Sequence, residues 1–158
     1  MIIIGIDPGI ATTGYGVIQS RERDSLDCID YGIIKTSPGT LFPDRLKIIN
    51  DDFISLIEKY NPNVIAVESI FFFKNAKTVI PVSQVKGIFM MVASQKNIPI
   101  HEFTPLQAKM ATVGHGRAQK KQVQEMVKLL LNLDEIPKPD DAADALAIAI
   151  CYASLNCK

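Results

Sequence analysis

The stretch IIIGIDPGIATTGYGVIQS, residues 2–20, decides the fold. Ile2–Asp7 is a strand-like run that closes on an aspartate, and Pro8-Gly9 breaks it. Gly14–Ser20 is a second such run and about Asp27–Thr36 a third. Their β-branched content and short glycine-bearing connections predict consecutive antiparallel strands. Pro38-Gly39 then interrupts the chain. Pro43 and Asp44 suit a helix start, and Leu46, Ile49, Phe53 and Ile57 follow at helical spacing to about Tyr60. Asn61-Pro62-Asn63 ends that helix, and Val64–Glu68 is a short apolar strand ending in a carboxylate. A second helix is expected within Asn75–Lys96, with Pro81 near its first turns or kinking it. Ile98–Phe103 reads as a fifth strand, followed by a short helix after Thr104-Pro105. Gln119–Leu131 is amphipathic, and Pro137 and Pro139 set the start of a last helix, about Asp140–Ser154. Strands first, then alternating helix and strand, give the α/β class: one mixed five-stranded sheet with helices on its faces.

The length of 158 residues suits one domain spanning 1–158, and 47% hydrophobic residues are ample for its core. No apolar stretch approaches the roughly 20 residues of a membrane span, and the N-terminus lacks the pattern of a secretory signal. Cys28, Cys151 and Cys157 form no CxxC pair and read as reduced thiols, so a cytoplasmic location is expected. Having only His101 and His115 speaks against a histidine-based zinc site.

The net charge of zero hides a strong asymmetry. Met1–Glu68 carries 6 Lys and Arg against 10 Asp and Glu, a net of −4; Ser69–Lys128 carries 9 against 2, a net of +7; Leu129–Lys158 carries 2 against 5, a net of −3. A basic middle between acidic flanks suits a nuclease, and a solvated lysine face would look the same by charge alone.

Four acidic residues stand at element ends. Asp7 and Glu68 close strands, and Asp141 and Asp144 open DDAADALAIAI, three residues apart and so on one side of a helix. Ala142, Ala143 and Ala145 keep that helix slim enough for another element to approach. Asp140 reads as a plain N-cap, and Asp7 could be a turn aspartate bonding nearby amides. Glu68 is harder to explain structurally: it ends a run expected to be buried, with no basic residue within five positions. Four hard-oxygen ligands brought together could hold two Mg²⁺ ions and support phosphodiester hydrolysis by in-line attack.

GIDPGIATTGYGVI, IAVESIFFFKNA, AKMATVGHGRAQKKQVQEMV and DDAADALAIAI, in order across nearly the whole chain, resemble the RuvC family of Holliday-junction resolvases. The resemblance implies a ribonuclease H-like fold, a homodimer, and Mg²⁺-dependent paired nicking of four-way junction DNA in recombination and repair. It implies that Asp7, Glu68, Asp141 and Asp144 form the active site, with Asp141 the ligand most open to replacement, since some relatives carry histidine there. It also implies cooperation with a RuvA–RuvB branch-migration complex.

Phe71-Phe72-Phe73 with Lys74 places aromatic rings beside cations, a combination that stacks on unpaired bases, although core packing would claim at least one of the three rings. Similarity to the family puts Phe71 at the junction-distorting position. Lys109, Arg117, Lys120 and Lys121 are the expected phosphate contacts. Val85, Ile88, Phe89, Met90, Met91 and Val92 wrap more than one side of their helix, which is therefore wholly buried or shared with a second subunit. Three rivals remain at this point. An actin or sugar-kinase type phosphotransferase shares the early Asp-Gly turn, a ribonuclease H shares the metal chemistry, and a junction-binding scaffold would do no chemistry.

Overall fold

Strand β1 (Ile2–Asp7) lies at the centre of the sheet in the computed structural model, which describes residues 1–21, 25–70 and 76–156, without the side chains of 76–78. β2 (Thr12–Ser20) and β3 (Leu26–Lys35) follow as antiparallel neighbours. β4 (Val64–Glu68) returns parallel to β1, and β5 (Ile100–Phe103) parallel to β4, giving the order β3-β2-β1-β4-β5. The expected mixed five-stranded sheet is therefore present.

The two-residue period of a strand sorts the core into two layers. Ile3, Val64, Ala66 and Phe103 face α3 (Pro105–Val113), α4 (Lys120–Leu130) and α5 (Asp140–Asn156). Ile4, Ile6, Ile65 and Val67 face α1 (Phe42–Tyr60) and α2 (Ala76–Gln95), where Phe53 and Phe89 meet edge to face. The same alternation puts Asp7 and Glu68, two residues beyond Gly5 and Ala66, on the α5 side.

Boundaries differ from expectation where the backbone has a competing use. β5 begins at Ile100 and not Ile98, because Ile98 N–H still bonds Ala93 O and Asn97 takes a left-handed turn at the exit of α2. β2 begins at Thr12, two residues early, since Thr12 and Thr13 pair with Lys35 and Ile34 of β3. Pro81 sits inside α2, so the helix continues through it. Asp140 does not cap α5: it occupies the first turn and its carboxylate turns to Lys120 and Gln124. Phe71, Phe72, Phe73 and Lys74 lie outside the described residues.

Candidate active site

The site starts from how closely α5 can approach the sheet. A Cβ placed on Gly5 would stand 2.1 Å from Ala145 O, and one on Gly14 would stand 1.9 Å from Asp141 O. Backbone meets backbone because glycines on β1 and β2 face the alanines of α5. That contact lowers the first turns of α5 onto the ends of β1 and β4. Asp141 and Asp144 thereby arrive beside Asp7 and Glu68.

The turn after Asp7 is fixed from within. Thr13, fully buried, donates its hydroxyl to Gly9 O at 2.7 Å and accepts from Gly9 N–H at 3.3 Å. Thr36, just past the end of β3, holds the next residues: its N–H donates to Ala11 O at 3.0 Å and its hydroxyl to Ile10 O.

The four carboxylates form one electrostatic unit. Burial, the charge of Glu68, the charge of Asp144, a hydrogen bond with Glu68 and the charge of Asp141 together push the Asp7 carboxyl up to about 9. Two carboxyl groups share a hydrogen bond only when one keeps a proton, so at neutral pH the metal-free pair is protonated. Asp144 is also raised by burial, against the opposing effect of Lys120. Lys120 Nζ lies 3.0 Å from Asp144 and 3.3 Å from Asp140, while Gln124 Nε2 donates to Asp140 at 2.9 Å. These bonds raise Lys120 above the usual lysine range despite partial burial.

A cleft of about 350 Å³ opens over this cluster, lined by Glu68, Asp144, Lys109 and Lys120, with apolar walls from Ala108 and Val123. Of the six basic and aromatic residues expected to hold nucleic acid, the structure brings Lys109 and Lys120 to the carboxylates. Lys121 is exposed in the first turn of α4, and Arg117 is exposed on the connection before it. Phe71 and Lys74 fall outside the described residues. The contact of Lys120 with Asp144 was not foreseeable from spacing, because 24 positions separate them. The glycines of β1 and β2 were the readable half of the α5 contact, since glycine inside a strand often marks close backbone approach.

Among the described residues no three acidic, cysteine or histidine side chains converge as a formed metal site. A proton between Asp7 and Glu68 and the ammonium of Lys120 on Asp144 stand where positive charge is needed. The donor set fits a hard divalent cation: every candidate ligand is a carboxylate, and like charges held this close require a cation or a proton.

The family model described as crossover junction endodeoxyribonuclease RuvC matches residues 3–152. The crossover junction endodeoxyribonuclease RuvC of Halothermothrix orenii is 53% identical over 98% of this chain and 93% of its own. That of Alkaliphilus metalliredigens is 51% identical over 97% of this chain and 93% of its own. Thermus thermophilus RuvC, solved in complex with a Holliday junction substrate, superposes with a TM-score of 0.93 at 33% identity, covering 98% of this chain and 94% of that one.

Proposed function

The chain belongs to the RuvC family of crossover junction endodeoxyribonucleases, and from that premise we infer its reaction from its own residues. It is a structure-selective, metal-dependent endonuclease that resolves four-way DNA junctions in recombination and repair. The observation that carries this reading is the coupling of Glu68, Asp144 and Asp141 to the buried Asp7 carboxyl, beside a cleft that Glu68 and Asp144 share with Lys109 and Lys120. No helix among the described residues is long and apolar enough to cross a membrane.

The four carboxylates are the catalytic and metal-binding set, and Mg²⁺, two ions per subunit, is the cation proposed for them. Bound there, a divalent metal supplies Lewis acidity at the scissile phosphate and makes water acidic enough to attack at neutral pH. The chain does the rest. Asp7 gives up its proton to become a ligand. Lys120 leaves Asp144 for the non-bridging oxygens of the entering phosphate, and Lys109 faces the same cleft. Arg117 and Lys121, with Phe71 and Lys74 from the aromatic segment, extend the proposed DNA contact beyond the cut. The test is cleavage of a synthetic mobile four-way junction, with Mg²⁺ and with chelator, against an RNA–DNA hybrid duplex and against ATP. Paired symmetric nicks in the junction, lost with chelator, are expected; preferential hybrid cleavage or nucleotide hydrolysis would overturn the reading.

Paired nicks need two sites, and α2 supports a symmetric dimer. Val85, Phe89, Val92 and Ala93 are buried against its own chain, but the opposite face is not covered: Ile80 is 69% and Met91 49% exposed. Ile80, Gln84, Gly87 and Met91 form an exposed stripe at spacings of four, three and four. Gly87 has open space where a Cβ would stand, so a second α2 could cross closely there. Met91→Glu is expected to raise the dimer dissociation constant at least tenfold, read by sedimentation equilibrium; an unchanged mass distribution would remove α2 from the interface. A RuvA–RuvB complex is the further partner implied by kinship.

A further inference from the structure

The cations proposed for DNA in the described part of the chain all belong to α3, α4 and their connection. A different part of the same sheet end is the β1–β2 turn, residues 8–11, which follows Asp7 and is braced by Thr36 just past β3. There the Thr36 hydroxyl does two things. It donates to Ile10 O and accepts from Arg45 Nε at 2.8 Å. Arg45 belongs to the first turn of α1 and is half-buried. Arg21, Lys47, Lys59, Lys86, Lys96 and Lys120 each pair with a carboxylate. Arg45 has no acidic partner among the described residues, and its exposed neighbour Asp44 makes no ion pair with it. Lys35, next to Thr36 and exposed at the end of β3, is likewise unpaired among them.

A guanidinium held through Nε keeps its two terminal amino groups for another acceptor. Its orientation is already set, and a planar fork of this kind matches phosphate oxygens two at a time. We propose that Arg45, with Lys35 beside it, binds a backbone phosphate of the junction next to the turn that follows Asp7, a reading that rests on the nuclease function above. Thr36 joins that phosphate to the turn that follows Asp7 through two hydrogen bonds. A strand gripped at Arg45 is thus held in a fixed relation to the carboxylate.

Equilibrium binding of the full-length protein to a synthetic four-way junction, in chelator and across a salt series, tests this. Arg45→Gln keeps a hydrogen-bond donor for Thr36 and removes the charge. It is expected to weaken binding roughly fivefold and to lower the slope of log affinity against log salt by about 1, as the loss of one phosphate contact requires. Arg45→Lys is expected to keep the parental slope. A purely structural role for Arg45 would leave the slope of the Gln variant unchanged, and that result overturns the proposal. Should the Gln variant fail to fold, Lys35→Gln decides on an exposed side chain: a lowered slope supports the contact, and an unchanged one overturns it. Failure of the parent protein to select junctions over plain duplex would instead sink the nuclease reading, independently of Arg45.

Discussion

Asp7→Asn is expected to lower the nicking rate about a thousandfold or more, some 4 kcal/mol of transition-state stabilisation, while leaving junction affinity within about twofold. The amide is nearly isosteric but is a poor ligand for a hard cation, whereas phosphate contacts elsewhere are untouched. The same change is expected to stabilise the metal-free protein. Asp7 titrates at about 9 when folded against 3.8 for an unperturbed aspartate, because burial and the neighbouring carboxylates oppose its charge. A raised carboxylate pKa means that the folded state binds the extra proton. Stability of the metal-free parent therefore falls as pH rises from about 4 towards 9, and the asparagine variant escapes that loss. Its gain at neutral pH is expected to be roughly 1–2 kcal/mol, or about 2–8 °C in melting temperature. Metal binding must expel the proton, so parental affinity for Mg²⁺ is expected to rise about tenfold per pH unit up to about 9. Calorimetry in buffers of different ionisation enthalpy reads the released proton directly. A variant that loses both folding and junction binding would make Asp7 a structural residue.

Gly14→Ala is the second large effect. Its new Cβ would sit 1.9 Å from Asp141 O and 2.4 Å from Asp141 C, both backbone atoms that cannot rotate aside. Either β2 or the first turn of α5 has to move. The expected cost is about 3 kcal/mol, a fall of roughly 6–12 °C in melting temperature. Because the displaced turn carries Asp141 and Asp144, nicking is expected to drop about a hundredfold. Gly39→Ala is the control, since its Cβ would meet nothing closer than Ser37 Oγ at 3.8 Å. Thermal melts and single-turnover cleavage of both variants check the pair; equal behaviour would mean that α5 is not held by this contact.

Most of the architecture is legible in the sequence, for a physical reason. Ile2–Asp7 and Val64–Glu68 are short apolar runs bounded by strong turn residues, and the α1 stripe has a clear helical period, so local pattern and global fold agree. The capping box at Thr104 and Gln107 is equally local. Asp140 shows where such reading ends. As an acidic residue at a helix start it reads as a cap, yet it pairs with a lysine 20 positions away. The partner of Glu68 was likewise hidden: its hydrogen bond is to Asp7, another acid, which no search for an opposite charge would find. Long-range polar pairing has no periodicity to betray it. The slimness of the alanine helix was legible, but which glycines it would meet depended on the register of β1 against β2.

That register has a consequence for how the chain reaches its native state. Asp7 stands opposite Gly14, and strand faces alternate with every residue. A slip of one position would turn Asp7 towards Ile4, Ile6 and the greasy underside shared with α1 and α2. The buried side chains at the centre of that layer are apolar and offer the carboxylate neither a counter-charge nor a shared proton. A mispaired hairpin would thus bury a bare charge and fail early. The aspartate that serves the chemistry also acts as an alignment mark, rejecting wrong pairings before α5 is ever made.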